Sequence, residues 1–83
     1  MPRFHFNTYD RPDVDGHELP SLAAAKCAAI RMFGAVVCDD ADRFWDEADW
    51  SMTVTDDRGL TLFQLHLIGT DAAAITRHVP QHI

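Results

Sequence analysis

SLAAAKCAAIRMFGAVVC, running from Ser21 to Cys38, is the stretch on which the fold turns. Alanine dominates it, and alanine is the strongest helix former. Ser21 stands where a side-chain hydroxyl can accept from a free first-turn N–H, so a helix is expected from about Leu22 to Cys38. At roughly 100° per residue, Leu22, Ala25, Ala29, Ile30, Phe33, Val36 and Val37 gather on one broad face, the expected core face. Lys26 sits at its margin, where its stem can lie on apolar surface and its ammonium reach water. The opposite face carries Ala24, Cys27, Ala28, Arg31, Gly34, Ala35 and Cys38, with one charge among them. Two readings remain open. Alanine is tolerated on a surface, or the C-terminal segment covers it; alternatively Ala24, Cys27, Ala28, Arg31, Gly34 and Ala35 form a subunit interface that small residues let another backbone approach.

A helix with one bulky stripe needs an apolar layer to lie on, and the flanking sequence supplies it. Before the helix, Arg3–Tyr9 alternates, with Phe4, Phe6 and Thr8 on one side and Arg3, His5, Asn7 and Tyr9 on the other. Period two with aromatic residues predicts a strand with one buried face. Asp10–Pro20 is a loop broken by Pro12, Gly16 and Pro20, with Val14 placed to pair briefly with that strand. After the helix, Asp39–Asp49 is an acidic connection, irregular or briefly helical. Trp50–Asp56 and Leu60–Ile68 then form a hairpin around Asp56–Gly59, whose glycine suits the left-handed position of a type I turn with a G1 bulge. Trp50, Met52 and Val54 are expected to face inward. In the last strand the apolar parity changes between Leu62 and Phe63, which predicts a bulge there or burial on both faces. Thr70 or Asp71 can cap a short helix over Ala72–His78 that ends before Pro80.

The expected fold is therefore α+β, in the order β-α-β-β with a short C-terminal helix. A three- or four-stranded antiparallel sheet carries one main helix on one face. Residues 1–68 form the domain and 69–83 a tail. The expected core is Phe4, Phe6, Leu22, Phe33, Trp50, Val54, Leu62 and Leu65.

Size and charge narrow the function. Eighty-three residues suit one domain, and a hydrophobic fraction of 47% is that of a globular chain. Seven Lys and Arg against thirteen Asp and Glu give a net charge of −6 without a basic cluster, which disfavours direct nucleic-acid binding and an anionic membrane surface. No apolar run approaches the roughly 18 residues of a membrane span. The start, MPRFHFNTYD, lacks a signal-peptide pattern. Cys27 and Cys38, roughly 16 Å apart along one helix, cannot bridge within it. Reduced thiols fit a cytoplasmic setting.

Few residues suggest chemistry. His78 and His82 have helical metal-pair spacing, but Pro80 lies between them. His5 and His66 lie on different strands and, if these are adjacent, could hold a metal with nearby acids; otherwise they are surface histidines. Asp13-Val-Asp-Gly16 begins like a calcium loop but lacks the ligands expected at Arg11 and Leu22, so it reads as an acidic turn. Asp39, Asp40, Asp42, Asp46, Glu47 and Asp49 could attract a hard cation, although a solvated charge cluster is the simpler reading. Ser21, Cys27 and Cys38 lack the sequence context of a nucleophile. Phe44, Trp45 and Trp50 read as closing one end of the core rather than as an exposed binding patch. No cofactor is expected.

Taken in order, MPRFHF (Met1–Phe6), DGHELP (Asp15–Pro20), the alanine-rich helix, Phe44-Trp45, Trp50, VTDDRG (Val54–Gly59), Leu60 and Leu62 resemble a family of small bacterial proteins catalogued as a domain of unknown function. The resemblance spans about residues 1–68 and implies the fold and a bacterial host, with no activity or site residue. The helix departs from the family in carrying fewer charges, and Gly69–Ile83 is an added tail. The expected function is a non-catalytic interaction or regulatory module, acting as a homodimer or on a protein partner. The alternatives are a small metal- or ligand-binding enzyme using His5 and His66, and an antitoxin-like regulator.

Overall fold

The computed structural model describes residues 1–8 and 11–73. Tyr9, His78, His82 and all but the first two positions of the expected Ala72–His78 helix lie outside the described residues. In chain order the elements are β1 (Arg3–Thr8), β2 (His17–Glu18), α1 (Leu22–Asp39), α2 (Ala41–Glu47), β3 (Asp49–Thr55) and β4 (Thr61–Ile68). The strands form one antiparallel sheet in the order β2-β1-β3-β4, and the helices pack on one of its faces. This is the expected α+β arrangement, with four strands.

Local chemistry sets the boundaries. Ser21 is extended, and its hydroxyl accepts from the Ala24 N–H at 3.1 Å, so α1 starts at Leu22. The acidic connection forms a helix of seven residues, α2, ended by Ala48 in the left-handed conformation at φ 62°. In the β3–β4 turn, the Asp56 carboxylate accepts from the N–H groups of Arg58 and Leu60 at 2.8 and 3.0 Å. Gly59 takes φ 83° and donates to the Asp56 carbonyl. The pairing Val54↔Phe63 is followed by Thr55↔Thr61, which leaves Leu62 as the extra residue of a bulge. The parity change in β4 has that cause.

The core is Phe4, Phe6, Ala25, Ala29, Phe33, Met52 and Val54, with Leu19, Ala28, Met32, Val37, Trp50, Phe63 and Leu65 half-buried around it. Ala25 and Ala29 are fully buried because α1 lies close on the sheet, and only a methyl group fits between. Three expected core positions are corrected. Leu22 is exposed because it opens the first turn of α1, where the helix end runs past the apolar layer. Ile30 is 63% exposed, on a flank of α1 that the sheet does not reach. Leu62 is exposed because the bulge takes it out of the inward row. Trp50 and Leu65 are half-buried rather than enclosed. The partner of β1 in the loop is His17–Glu18, not Val14, which is exposed. Gly16, at φ 74°, turns the chain back along β1 only after Val14 has passed.

Candidate functional site

Alternation along β1 places Phe4 and Phe6 under the helices and turns His5 and Asn7 to the other face. On that face three segments meet at His5. Its Nδ1 is 2.8 Å from the Asp13 carbonyl of the β1–β2 loop, and its Nε2 is 2.9 Å from Asp57 Oδ1 of the β3–β4 turn. Asp13 ties the loop down further. Its carboxylate accepts from the N–H groups of Phe6 and Gly16, both at 3.1 Å, and lies 3.4 Å from His17 Nδ1. Its own N–H donates to Asn7 Oδ1 at 2.8 Å. Gly16 closes the arrangement, since a Cβ there would stand 2.8 Å from Arg3 Cγ and 2.9 Å from His5 Cε1. The acidic turn read from Asp13–Gly16 is thus a structural knot whose carboxylate is occupied by backbone amides.

Both His5 nitrogens face oxygen acceptors, so only the imidazolium can donate at both ends. The Asp57 carboxylate, then the Asp13 carbonyl, raise the His5 pKa above its ordinary 6.5 against a smaller opposing effect of burial. For Asp13, burial alone would raise the pKa, but the Phe6 and Gly16 amides with His17 and His5 together outweigh it and hold the carboxyl below its ordinary 3.8. The signs follow. The His5 contribution to stability is full below 6.5 and is lost as pH rises through its raised folded-state pKa. The Asp13 contribution is full above 3.8 and is lost as pH falls through its lowered one. Stability from this knot should therefore be greatest between these two values. In an NMR titration the His5 midpoint should lie above 6.5 and move down in Asp57→Asn. A midpoint at or below 6.5, unmoved by that substitution, would show that the contact has no effect in solution.

At the other end of the sheet a cleft of about 300 Å³ is lined by Thr8, Arg11, Phe33, Val36, Asp39, Asp40, Arg43 and Trp50. Arg43 pairs with Asp40 at 3.5 Å and Glu47 at 3.4 Å, and its guanidinium lies 5.3 Å over the Trp50 ring. The Trp50 indole N–H also donates to Glu47. Two arginines and two aspartates share the wall, so their formal charges cancel and the cleft does not select either sign of ion. Phe44 is buried and packs edge-on against Trp45 and Trp50 at 5.6 and 5.5 Å. Phe44 and Trp50 close this end of the core as expected, whereas Trp45 is 52% exposed.

The histidine pair is not brought together. β3 lies between β1 and β4, with His5 opposite Thr55 and His66 opposite Ser51, which places the two roughly 17 Å apart from strand spacing and rise. Among the described residues no group of three His, Cys, Asp or Glu side chains could hold a metal ion. On α1, Cys27, Arg31, Gly34 and Ala35 are exposed, and Ala24 and Ala28 are half-buried. Among the described residues nothing stands within 4 Å of a Cβ built on Gly34, so none of them covers this part of the small-residue face. Both cysteines are free and exposed.

Sequence reasoning missed a second open surface. Phe63, Leu65 and Leu67 pair with Val54, Met52 and Trp50, so all three lie on the helix-side face of the sheet. Phe63 and Leu65 are half-buried, and Leu67 is exposed. Lys26 Nζ sits 5.9 Å over the Phe63 ring, which puts the Lys26–Ile30 flank of α1 on the β4 side. With Ile30 and Leu67 open, that flank is an apolar strip beside a strand edge that no other described strand pairs, while Ile68, also exposed, lies on the opposite face with Gln64 and His66. The available signal was TLFQLHLI itself, a strand without a charged residue. Its position at the edge required strand order.

A four-stranded antiparallel sheet with helices on one face places the chain in the class of small two-layer α+β domains. The chain is a member of the family described as Domain of unknown function (DUF6894), whose model matches residues 3–68, from the first residue of β1 to the last of β4. No curated protein and no solved structure matches it. No helix among the described residues is long and apolar enough to cross a membrane.

Proposed function

We propose that this chain is a non-catalytic protein-interaction module that works as a homodimer. The observation that carries the reading is the apolar strip on the helix-side face along β4, where Ile30 and Leu67 are open beside the half-buried Phe63 and Leu65. Contiguous exposed apolar surface of this kind is the usual mark of an association site. The polar groups support the same reading from the other side. His5, Asp13 and Asp57 bond to one another or to backbone, and Arg43 is paired with Asp40 and Glu47. These side chains are committed to holding loops and helices in place.

Sedimentation velocity across the micromolar range tests the proposal. The expected result is a reversible shift from the 9.3 kDa chain toward twice that mass as concentration rises. A strict monomer throughout overturns the homodimer reading.

A further inference from the structure

We infer that β4 pairs antiparallel, edge to edge, with β4 of a second copy, joining two four-stranded sheets into one; the inference rests on the homodimer reading above. β4 has eight residues and, among the described residues, is hydrogen-bonded on one side only, whereas the opposite edge, β2, has two residues. A long open edge is a template for another strand, and proteins commonly block one with charged residues or proline. TLFQLHLI contains no Asp, Glu, Lys, Arg or Pro, in a chain of which 24% is charged. Its only device against pairing is the bulge at Leu62, which leaves Phe63–Ile68 regular.

The strand matches itself. A two-fold axis through Leu65, normal to the sheet, sets Phe63 opposite the partner's Leu67 and Leu65 opposite the partner's Leu65. Both pairs lie on the helix-side face. On the other face Gln64 meets the partner's His66, and Ile68 faces the partner's bulged Leu62 at each end of the pairing. Apolar therefore meets apolar and polar meets polar, as stable cross-strand pairs require. Moving the axis to Gln64 brings the bulged Leu62 against His66. Moving it to His66 sets Gln64 against Ile68 and His66 against itself.

Charge favours the same arrangement. Lys26 lies at the Phe63 end of the strip. Trp45 lies at the other end, where its ring would meet a Cβ built on Gly69, just beyond β4. Asp42 and Asp46 flank Trp45 on α2. Antiparallel pairing brings each copy's Lys26 toward the end of its partner that carries Trp45 and these acids, twice over by symmetry. A copy of this chain is thus favoured over an arbitrary extended peptide, which would meet only the backbone edge. An interface built mainly on one strand lies at the small end of the range for stable complexes, so association should be reversible and concentration-dependent.

The test uses the full chain and two variants. Gln64→Lys/His66→Lys places like charges opposite each other in both copies of that cross-strand pair, at exposed positions outside the core. Ala35→Glu places a charge on the small-residue face of α1. The expected result is that the double variant sediments as a monomer at concentrations where the wild-type chain and Ala35→Glu dimerise. A dimer that survives the double variant but is lost in Ala35→Glu overturns edge pairing and leaves the homodimer reading standing. Hydrogen exchange of the wild-type chain is independent of how the variants fold. Alternate amides within Phe63–Ile68 should gain protection as concentration rises. Exchange that does not depend on concentration overturns the inference, including the case of a monomer whose β4 edge is covered by its own residues 74–83.

Discussion

Phe33→Ala should lower the unfolding free energy by about 3–5 kcal/mol, the usual cost of truncating a buried aromatic side chain. Phe33 is 5% exposed and lies in the cluster formed by Phe4, Phe6, Ala25, Ala29, Met52 and Val54. Its neighbours cannot easily move in to fill the space. Ala25 and Ala29 are small and fully buried beside it, and Met52 and Val54 are held in the central strand β3. Phe33 also lines the cleft shared by Arg11, Arg43 and Trp50, so its loss would enlarge that space into the core. At roughly 0.05–0.15 kcal/mol per residue, a domain of this size has about 4–12 kcal/mol in total, so much of its stability depends on this one ring. Ile30→Ala is the matched comparison. Ile30 lies on the same helix but is 63% exposed, and its truncation should cost under about 0.5 kcal/mol, as for surface positions generally. Urea denaturation of both variants would check this, provided both remain monomeric at the concentration used. Equal losses in the two would mean that α1 sits on the sheet by a different face.

Asp13→Ala should cost about 2–4 kcal/mol, since two amides lose hydrogen bonds to a charged group that contribute about 1.5–3 kcal/mol each, and water reaching this partly exposed site offsets part of that loss. The amides are those of Phe6, in a buried strand position, and of Gly16, at the tightest point of the loop. Without the carboxylate, the centre of the loop keeps the His5 contact to the Asp13 carbonyl, the Asn7 contact to the Asp13 N–H and the Arg3 contact to the Asp15 carbonyl. The short pairing of β2 with β1 should loosen with it, since Gly16 leads directly into His17. The sign with pH is a second check. The Asp13 contribution is present above 3.8 and disappears as pH falls through its lowered folded-state pKa. The difference between wild type and Asp13→Ala should therefore be full near pH 6 and shrink in strong acid. A difference that does not change between those conditions would mean that the charge is not what holds the loop.

How far the sequence could be read differs by element, for physical reasons. Ser21, the alanines and the bulky stripe marked α1 because capping and helical periodicity act within a few residues. Asp56–Gly59 marked the hairpin, because a left-handed glycine and a capping aspartate are local needs of that turn. The parity change at Leu62 pointed to a bulge or to burial on both faces, and the register with β3 decided for the bulge. The knot around His5 was much less legible. Asp13, His5 and Asp57 are far apart in sequence, and only the pairing of β1 between β2 and β3 brings loop and turn to one imidazole. His5 and His66 show the converse. Both alternate outward on strands, yet the order of the sheet sets them on either side of β3.

Sequence alone determined the type and approximate limits of the main elements, their antiparallel single-sheet architecture and the aromatic half of the core, because propensity, periodicity and turn chemistry are local forces. Tertiary structure decided which flank of α1 meets the sheet, why Leu22, Ile30 and Leu62 stay in water, and that β4 is an edge strand of the described sheet. Those outcomes depend on how strands are ordered and how closely Ala25 and Ala29 let the helix approach, and such non-local packing is not encoded in any one window of the chain.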